Sequence, residues 1–201
     1  MKLTLKHALA AIVLVLNFAI PVVAGPFEDA VAALGKGDYA TALRLIRPLA
    51  EQGYPGAQNS LGIMYEKGRG VPQDYAEALK WYRKAAEQGN AGAEYNLGAM
   101  HQNGLGVTQN YVEAVRWYRR AADQGLAGGQ FVLGGMYQIG IWRLVPKDIV
   151  RAYMWFNLAA AQGLEGAEKY RDEVAQHMTP AQIAEAQKLA REWKPTAQPS
   201  R

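Results

Sequence analysis

Side chains able to act as nucleophiles are scarce. The chain has 201 residues, no cysteine, and two serines, Ser60 and Ser200. Neither lies in a Ser-x-x-Lys or Gly-x-Ser-x-Gly setting, and Ser60 has no histidine in its stretch of chain, so nothing here activates a hydroxyl for acyl transfer. Metal chemistry is equally thin. His101 and His177 are the histidines beyond the first 24 residues, and neither has the ligand spacing that a zinc site needs. His101 occupies a slot held elsewhere by Tyr65 and Tyr137 and reads as a packed ring. Glu28-Asp29 and Arg171-Asp172-Glu173 read as solvated charge clusters rather than an acid–base pair. Trp81, Trp117 and Trp155 suggest a sugar-stacking ladder. Yet each stands beside Tyr82, Tyr118 or Phe156 at one repeated place, which favours packing. Gly68-x-Gly70 and Gly104-x-Gly106 follow no strand and precede no Gly-Lys-Ser/Thr, so they are turns and not phosphate loops. The expectation is no catalytic residue, no metal and no cofactor.

The elements that carry these residues repeat. Leu61-Gly62-Ile63-Met64-Tyr65 matches Leu97-Gly98-Ala99-Met100-His101 and Leu133-Gly134-Gly135-Met136-Tyr137, 36 residues apart at each step. Ala85-Ala86-Glu87-Gln88-Gly89 matches Ala121-Ala122-Asp123-Gln124-Gly125 and Ala159-Ala160-Ala161-Gln162-Gly163, at steps of 36 and 38. The two extra residues fall between Tyr137 and Val145. A degenerate unit precedes these, with Asp38-Tyr39-Ala40 in register with Asp74-Tyr75-Ala76. A fixed period in this range marks a solenoid. Each unit reads as two antiparallel helices. In the type unit the first helix runs from about Ala57 to Lys67, with Ala57, Leu61, Met64 and Tyr65 on one face. Asp74 caps the second, as Asp38, Asn110 and Asp148 do in the other units. That helix stops at Gly89, and its counterparts at Gly53, Gly125 and Gly163. Glycine inside a helix costs about 1 kcal/mol against alanine. Its recurrence at Gly62, Gly98 and Gly134 therefore predicts a neighbour too close for a side chain. Alanine pairs eight residues apart, such as Ala78 and Ala86, predict small contact points between helices.

These patterns resemble the Sel-one-like repeat, a relative of the tetratricopeptide repeat. Leu-Gly-x-Met-Tyr, Gly-x-Gly-Val-Pro-Gln-Asp-Tyr, Ala-x-x-Trp-Tyr and Ala-Ala-Glu-Gln-Gly carry the resemblance across residues 27–163. It implies an all-α fold: a right-handed α/α superhelical solenoid of about four helix-pair repeats, with a concave surface offered to other proteins. The units are 27–53, degenerate, then 54–89, 90–125 and 126–163. After Gly163 the pattern changes. A helix from Gly166 to about Met178 and another opened by the capping box Thr179-Pro180-Ala181-Gln182 make residues 164–194 a capping helix pair. Residues 195–201 are expected to form a disordered tail.

The first 24 residues read as a signal peptide. Lys2 and Lys6 precede a 13-residue apolar run from Ala8 to Ile20, and Val22-Val23-Ala24 suits cleavage after Ala24. Retention as a membrane anchor is the alternative, although the run falls short of the roughly 20 residues that span a bilayer. Cleavage implies export across the inner membrane to the periplasm and no stable membrane insertion afterwards. The leader takes two lysines from a net charge of +4, leaving +2. That small excess is spread along the chain and excludes a nucleic-acid footprint.

The function expected is a non-catalytic scaffold or adaptor of the cell envelope, binding a partner protein or peptide. The alternatives are a binder of cell-wall glycan or peptide, and a hydrolase like the cysteine-rich relatives whose cysteines this chain lacks. In the resembling families the first helix of each pair lines the concave side. Residues turned away from the inward face are then Asn59, Ile63 and Glu66; Tyr95, Ala99 and Gln102; and Phe131, Gly135 and Gln138. The double change Glu66→Ala and Gln102→Ala is expected to leave stability nearly unchanged. Trp142 replaces the second turn glycine within Ile141-Trp142-Arg143-Leu144. That inserted loop is either a contact site or a cover for its own core.

Overall fold

The computed structural model describes residues 25–196 with the exception of Trp142. The signal peptide expected over 1–24 and the end of the tail from 197 lie outside the described residues. Ten α-helices follow one another among the described residues: α1 (Pro26–Gly35), α2 (Tyr39–Glu51), α3 (Pro55–Lys67), α4 (Tyr75–Glu87), α5 (Ala91–Asn103), α6 (Tyr111–Asp123), α7 (Ala127–Ile139), α8 (Ile149–Ala161), α9 (Ala167–Ala175) and α10 (Pro180–Glu192). Each packs on the next, except that α10 returns to α8. Consecutive pairs therefore stack as repeats, and α9 and α10 close the array against its last second helix.

The caps explain the boundaries. The carboxylates of Asp38, Asp74 and Asp148 and the side-chain oxygen of Asn110 accept backbone N–H bonds at the starts of α2, α4, α8 and α6. Thr179 and Gln182 form the reciprocal box that opens α10. Gly68 and Gly104 end α3 and α5 in the left-handed region at φ +66° and +69°, which a side chain would strain.

Packing follows from the small residues. A Cβ at Gly62, Gly98 or Gly134 would lie 2.6 Å from the Tyr82 ring, 2.8 Å from Tyr118 or 2.9 Å from Phe156. The close neighbour expected from the helical glycines is thus a ring of the second helix in the same pair. The alanines eight residues apart on α2, α4, α6 and α8 are all buried. The core is a strip rather than a ball, since each buried cluster draws on a few helices near one another along the array.

Two details differ from expectation, and a third is one the sequence leaves open. α9 ends at Ala175, short of Met178. The tail is anchored where it begins: Thr196 donates to the Asp123 carbonyl from its backbone N at 2.8 Å and its Oγ1 at 3.2 Å. These bonds occupy a carbonyl at the end of α6 that no helical N–H reaches. The inserted loop turns through an isolated bridge between Ile141 and Val145. Val145 is buried, and Ile141 and Leu144 pack beside it on the core of α6–α8, so these residues cover their own core. Trp142, the residue singled out there, lies outside the described residues.

Candidate functional site

The first helices α3 and α5 leave a groove of 460 Å³ between them. Ile63, Tyr95, Ala99, Met100 and Leu105 give it apolar walls, and Glu66, Lys67, Asn96 and Asn103 a polar rim. Four of the residues expected on the binding face, Ile63, Glu66, Tyr95 and Ala99, are brought together here. Asn59 stands beside the groove, where its Oδ1 accepts from Asn96 Nδ2 at 3.0 Å and joins two units by side-chain amides.

Along the array the face changes character. The place of Ile63 is taken by Ala99 and then Gly135, above which there is nothing within 4 Å of a built Cβ. The place of Lys67 is taken by Asn103 and then by exposed Ile139. Phe131 departs from the groove set. It packs against Phe156 at 5.4 Å and Tyr170 at 5.2 Å, so it joins the capping pair to the array. Tyr95 makes an edge contact of 5.5 Å with Tyr118 and is half-buried. The Gln138 side chain makes no hydrogen bond among the described residues, in contrast to Gln102.

Glu66 and Gln102 are not free polar residues, which corrects the expectation that both could be truncated at no cost. Tyr82 donates its hydroxyl to Glu66 Oε2 at 2.6 Å, and Tyr118 to Gln102 Oε1 at 2.8 Å. Burial raises both phenols well above their ordinary value, and for Tyr82 the Glu66 bond adds to the effect. Both therefore stay protonated donors. The reason is geometric: the ring that fills the space over Gly62 or Gly98 carries its hydroxyl one turn along the first helix, to position 66 or 102. In the last unit the ring is Phe156, which has no hydroxyl for Gln138.

A second polar array escaped the sequence reading. Gln58, Glu94 and Gln130 are buried at one repeat position. Each accepts from the glutamine that ends the second helix of its unit: Gln88 to Gln58 at 2.7 Å, Gln124 to Glu94 at 2.5 Å, Gln162 to Gln130 at 2.8 Å. Gln58 also donates to the Ala50 carbonyl at 3.2 Å and Gln162 to that of Gly125 at 3.0 Å, so both bonds cross into the preceding unit. Glu94 is the charged exception. Arg120 pairs with it at 2.7 Å. Burial still raises the carboxyl above its usual value, against the lowering by Arg120 and Gln124. A polar residue recurring on an apolar face at the period of the repeat was the signal available.

The remaining sequence candidates are structural. Trp81 and Trp155 are buried and Trp117 is half-buried under the Arg120 guanidinium at 4.9 Å, so their faces form no open ladder. Ser60 returns its hydroxyl to the Gly56 carbonyl at 2.9 Å within its own helix. His101 is buried, its Nδ1 has no hydrogen-bond partner among the described residues, and burial lowers its pKa, which favours the neutral ring. Among the described residues no helix is long and apolar enough to cross a membrane.

Helix pairs stacked on a fixed period, joined by buried amides and grooved along their first helices, define an all-α repeat solenoid. The Sel1 repeat family model matches residues 55–90, 91–126 and 127–164. The chain belongs to the Sel1 repeat family, whose members are generally protein–protein interaction scaffolds. It is similar to a Sel1 repeat protein from Oxalobacter formigenes, with 29% identity, a TM-score of 0.66, and 81% of this chain matched to 74% of that one. It is also similar to a protective antigen of uropathogenic Escherichia coli strains that displays an SLR fold. There the identity is 27%, the TM-score is 0.58, and 84% of this chain matches 44% of the longer antigen. No curated protein matches the chain.

Proposed function

We propose that this protein is a non-catalytic adaptor of the bacterial cell envelope that holds an extended segment of a partner protein along its first helices. The groove between α3 and α5 carries this reading. It joins apolar walls, which reward burial of a side chain, to side-chain amides at Asn59, Asn96 and Asn103, which can meet a peptide backbone. Glu66 does not act alone in it, since it already accepts from Tyr82. The open space over Gly135 extends the same face to the third unit. Envelope location rests on the leader-like first 24 residues.

The test is site-specific crosslinking in cells. A photoreactive side chain at Ala99 is expected to give one discrete adduct, and the same group at Arg83 on an outer face none. Ala99→Arg, which fills the groove, removes that partner from pull-downs while the melting curve is kept. Equal capture by the parent and Ala99→Arg sinks the groove as the site. N-terminal sequencing of the envelope fraction tests the leader, and a sequence starting at Met1 reverses the assignment of cleavage.

A further inference from the structure

The groove between α3 and α5 lies across the joint between the unit of α3 and α4 and the unit of α5 and α6, and a titratable ring is built into that joint. His101 follows Met100, which lines the groove. Its repeat position holds Tyr65 in the unit before and Tyr137 in the unit after. Each of those tyrosines packs on two neighbouring core clusters, so the position ties one unit to the next. In the middle of the array the tie is an imidazole, 9% exposed.

Two observations set this joint apart from its neighbours. The first is the ring. Its Nδ1 is buried with no hydrogen-bond partner among the described residues. A neutral ring protonated on Nε2 leaves an acceptor there, whereas a charged ring puts an N–H there with nothing to receive it. Burial is the main cause that keeps the ring neutral; Glu113 on α6 favours the proton and Arg83 on α4 opposes it. Glu113 also faces Arg116 at 3.5 Å. The turn from Gly104 to Asn110 carries no titratable side chain. On α5 itself Glu94 lies two turns back and is met by Arg120 at 2.7 Å. The second observation is a change in the cross-bond. At the joints on either side an amide reaches a carbonyl of the preceding unit, Gln58 to Ala50 and Gln162 to Gly125. Here Glu94 takes the place of Gln58, and an ionised carboxylate has no hydrogen to give.

We infer that this joint is an acid-operated hinge: a proton on His101 parts the two units and opens the groove between α3 and α5, releasing what it holds. The release rests on the reading of that groove as the binding site. The movement is local, because a solenoid unit touches only its neighbours and one joint can loosen while the ends stay closed. Its sign follows from the ring being neutral in the closed joint. Closure is fully present above the ordinary histidine value of 6.5 and is lost as pH falls through it toward the lower value of the closed joint. Across that window the ratio of open to closed joint rises about tenfold per pH unit.

Hydrogen exchange read by mass spectrometry tests the hinge on the chain without a partner. Protection factors, corrected for the pH dependence of free amides, are compared at pH 7.5 and pH 5. Peptides from α5 and the start of α6 are expected to lose protection about tenfold, while those from α1, α2, α9 and α10 keep theirs. His101→Tyr, and His101→Phe as a second ring without a nitrogen, are expected to hold protection in α5 and α6 over the same range. Glu94 titrates in parent and variants alike, so the difference between them belongs to His101. No loss in the parent, a loss that is even along the array, or a loss that persists in both ring variants overturns the hinge. The Ala99 crosslink, repeated at both pH values, separates the hinge from the groove. An adduct at pH 7.5 that fades at pH 5 in the parent alone supports release, an adduct of equal yield at both overturns release, and no adduct at either overturns the groove reading and release with it.

Discussion

Arg120→Met tests the buried carboxylate of the middle unit. Glu94 is 0% exposed and its charge is met by one guanidinium at 2.7 Å and one amide at 2.5 Å. Methionine keeps an aliphatic stem over Trp117 and removes the charge. The Glu94 end is buried but the Arg120 end is 45% exposed, so water can take up part of what the guanidinium supplied and the loss falls below the cost of breaking a fully buried pair, at about 1.5–3 kcal/mol. For a chain of this size that is a fall in Tm of roughly 3–12 °C. Glu94→Gln is expected to do the reverse. The bond from Gln124 then has a neutral acceptor, as at Gln58 and Gln130. Stability should match or exceed the parent by up to about 2 kcal/mol, and the double variant should recover most of what Arg120→Met loses. The pH dependence has a definite sign. The folded state raises the Glu94 pKa, so its contribution is fully present below the usual carboxyl value and is lost as pH rises through the folded one. Losing Arg120 enlarges that rise, so the cost of Arg120→Met should shrink as pH falls toward 4.5. Thermal melts of the four proteins at pH 7 and pH 4.5 decide the matter. A fall of less than about 2 °C in Arg120→Met at pH 7, or a Glu94→Gln variant as damaged as Arg120→Met, refutes the reasoning.

Two neighbouring glycines should respond with opposite signs. Gly134→Ala drives a Cβ to 2.9 Å from Phe156 and should cost about 1–3 kcal/mol in urea titration, whereas Gly135→Ala meets open space and should gain about 0.5–1 kcal/mol. Leu97→Ala, fully buried in the middle unit, should cost about 2–5 kcal/mol by the same titration. His101→Tyr should remove an acid sensitivity. Burial lowers the folded His101 pKa from 6.5, so the parent loses stability as pH falls through and below that value. The variant, with the ring found at Tyr65 and Tyr137, should melt with a flatter pH profile between 7.5 and 5.

The repeat made most of the fold legible. Period, caps and recurrent helical glycines follow from single residues: Asp74 caps the helix that follows it, and Gly98 leaves the room that Tyr118 fills. Helix ends at Gly89 and the box at Thr179 were legible for the same local reason. The groove between α3 and α5 was legible in part. Helical spacing places Ile63, Tyr95 and Ala99 on one side, and they do meet in one groove. Spacing on one helix says nothing of what the facing helix sends across. The tyrosine hydroxyls reaching Glu66 and Gln102 and the capping pair enclosing Phe131 were therefore hidden. The glutamine ladder was hidden because its partners are 30 or more residues apart and each looks like an ordinary surface amide.

That ladder bears on how such a chain can lengthen. Each of the three full units carries the amide that ends its second helix and the buried acceptor of its first. The carbonyl that receives a cross-bond belongs to the preceding copy, as Ala50 serves Gln58 and Gly125 serves Gln162. A duplicated stretch of gene therefore brings its own pairing of glutamine and buried acceptor, while the bond to the preceding copy differs from unit to unit. The Glu94–Arg120 pair departs from the pattern: a unit inserted beside it would meet a carboxylate that has its own counter-ion and no amide to offer backward.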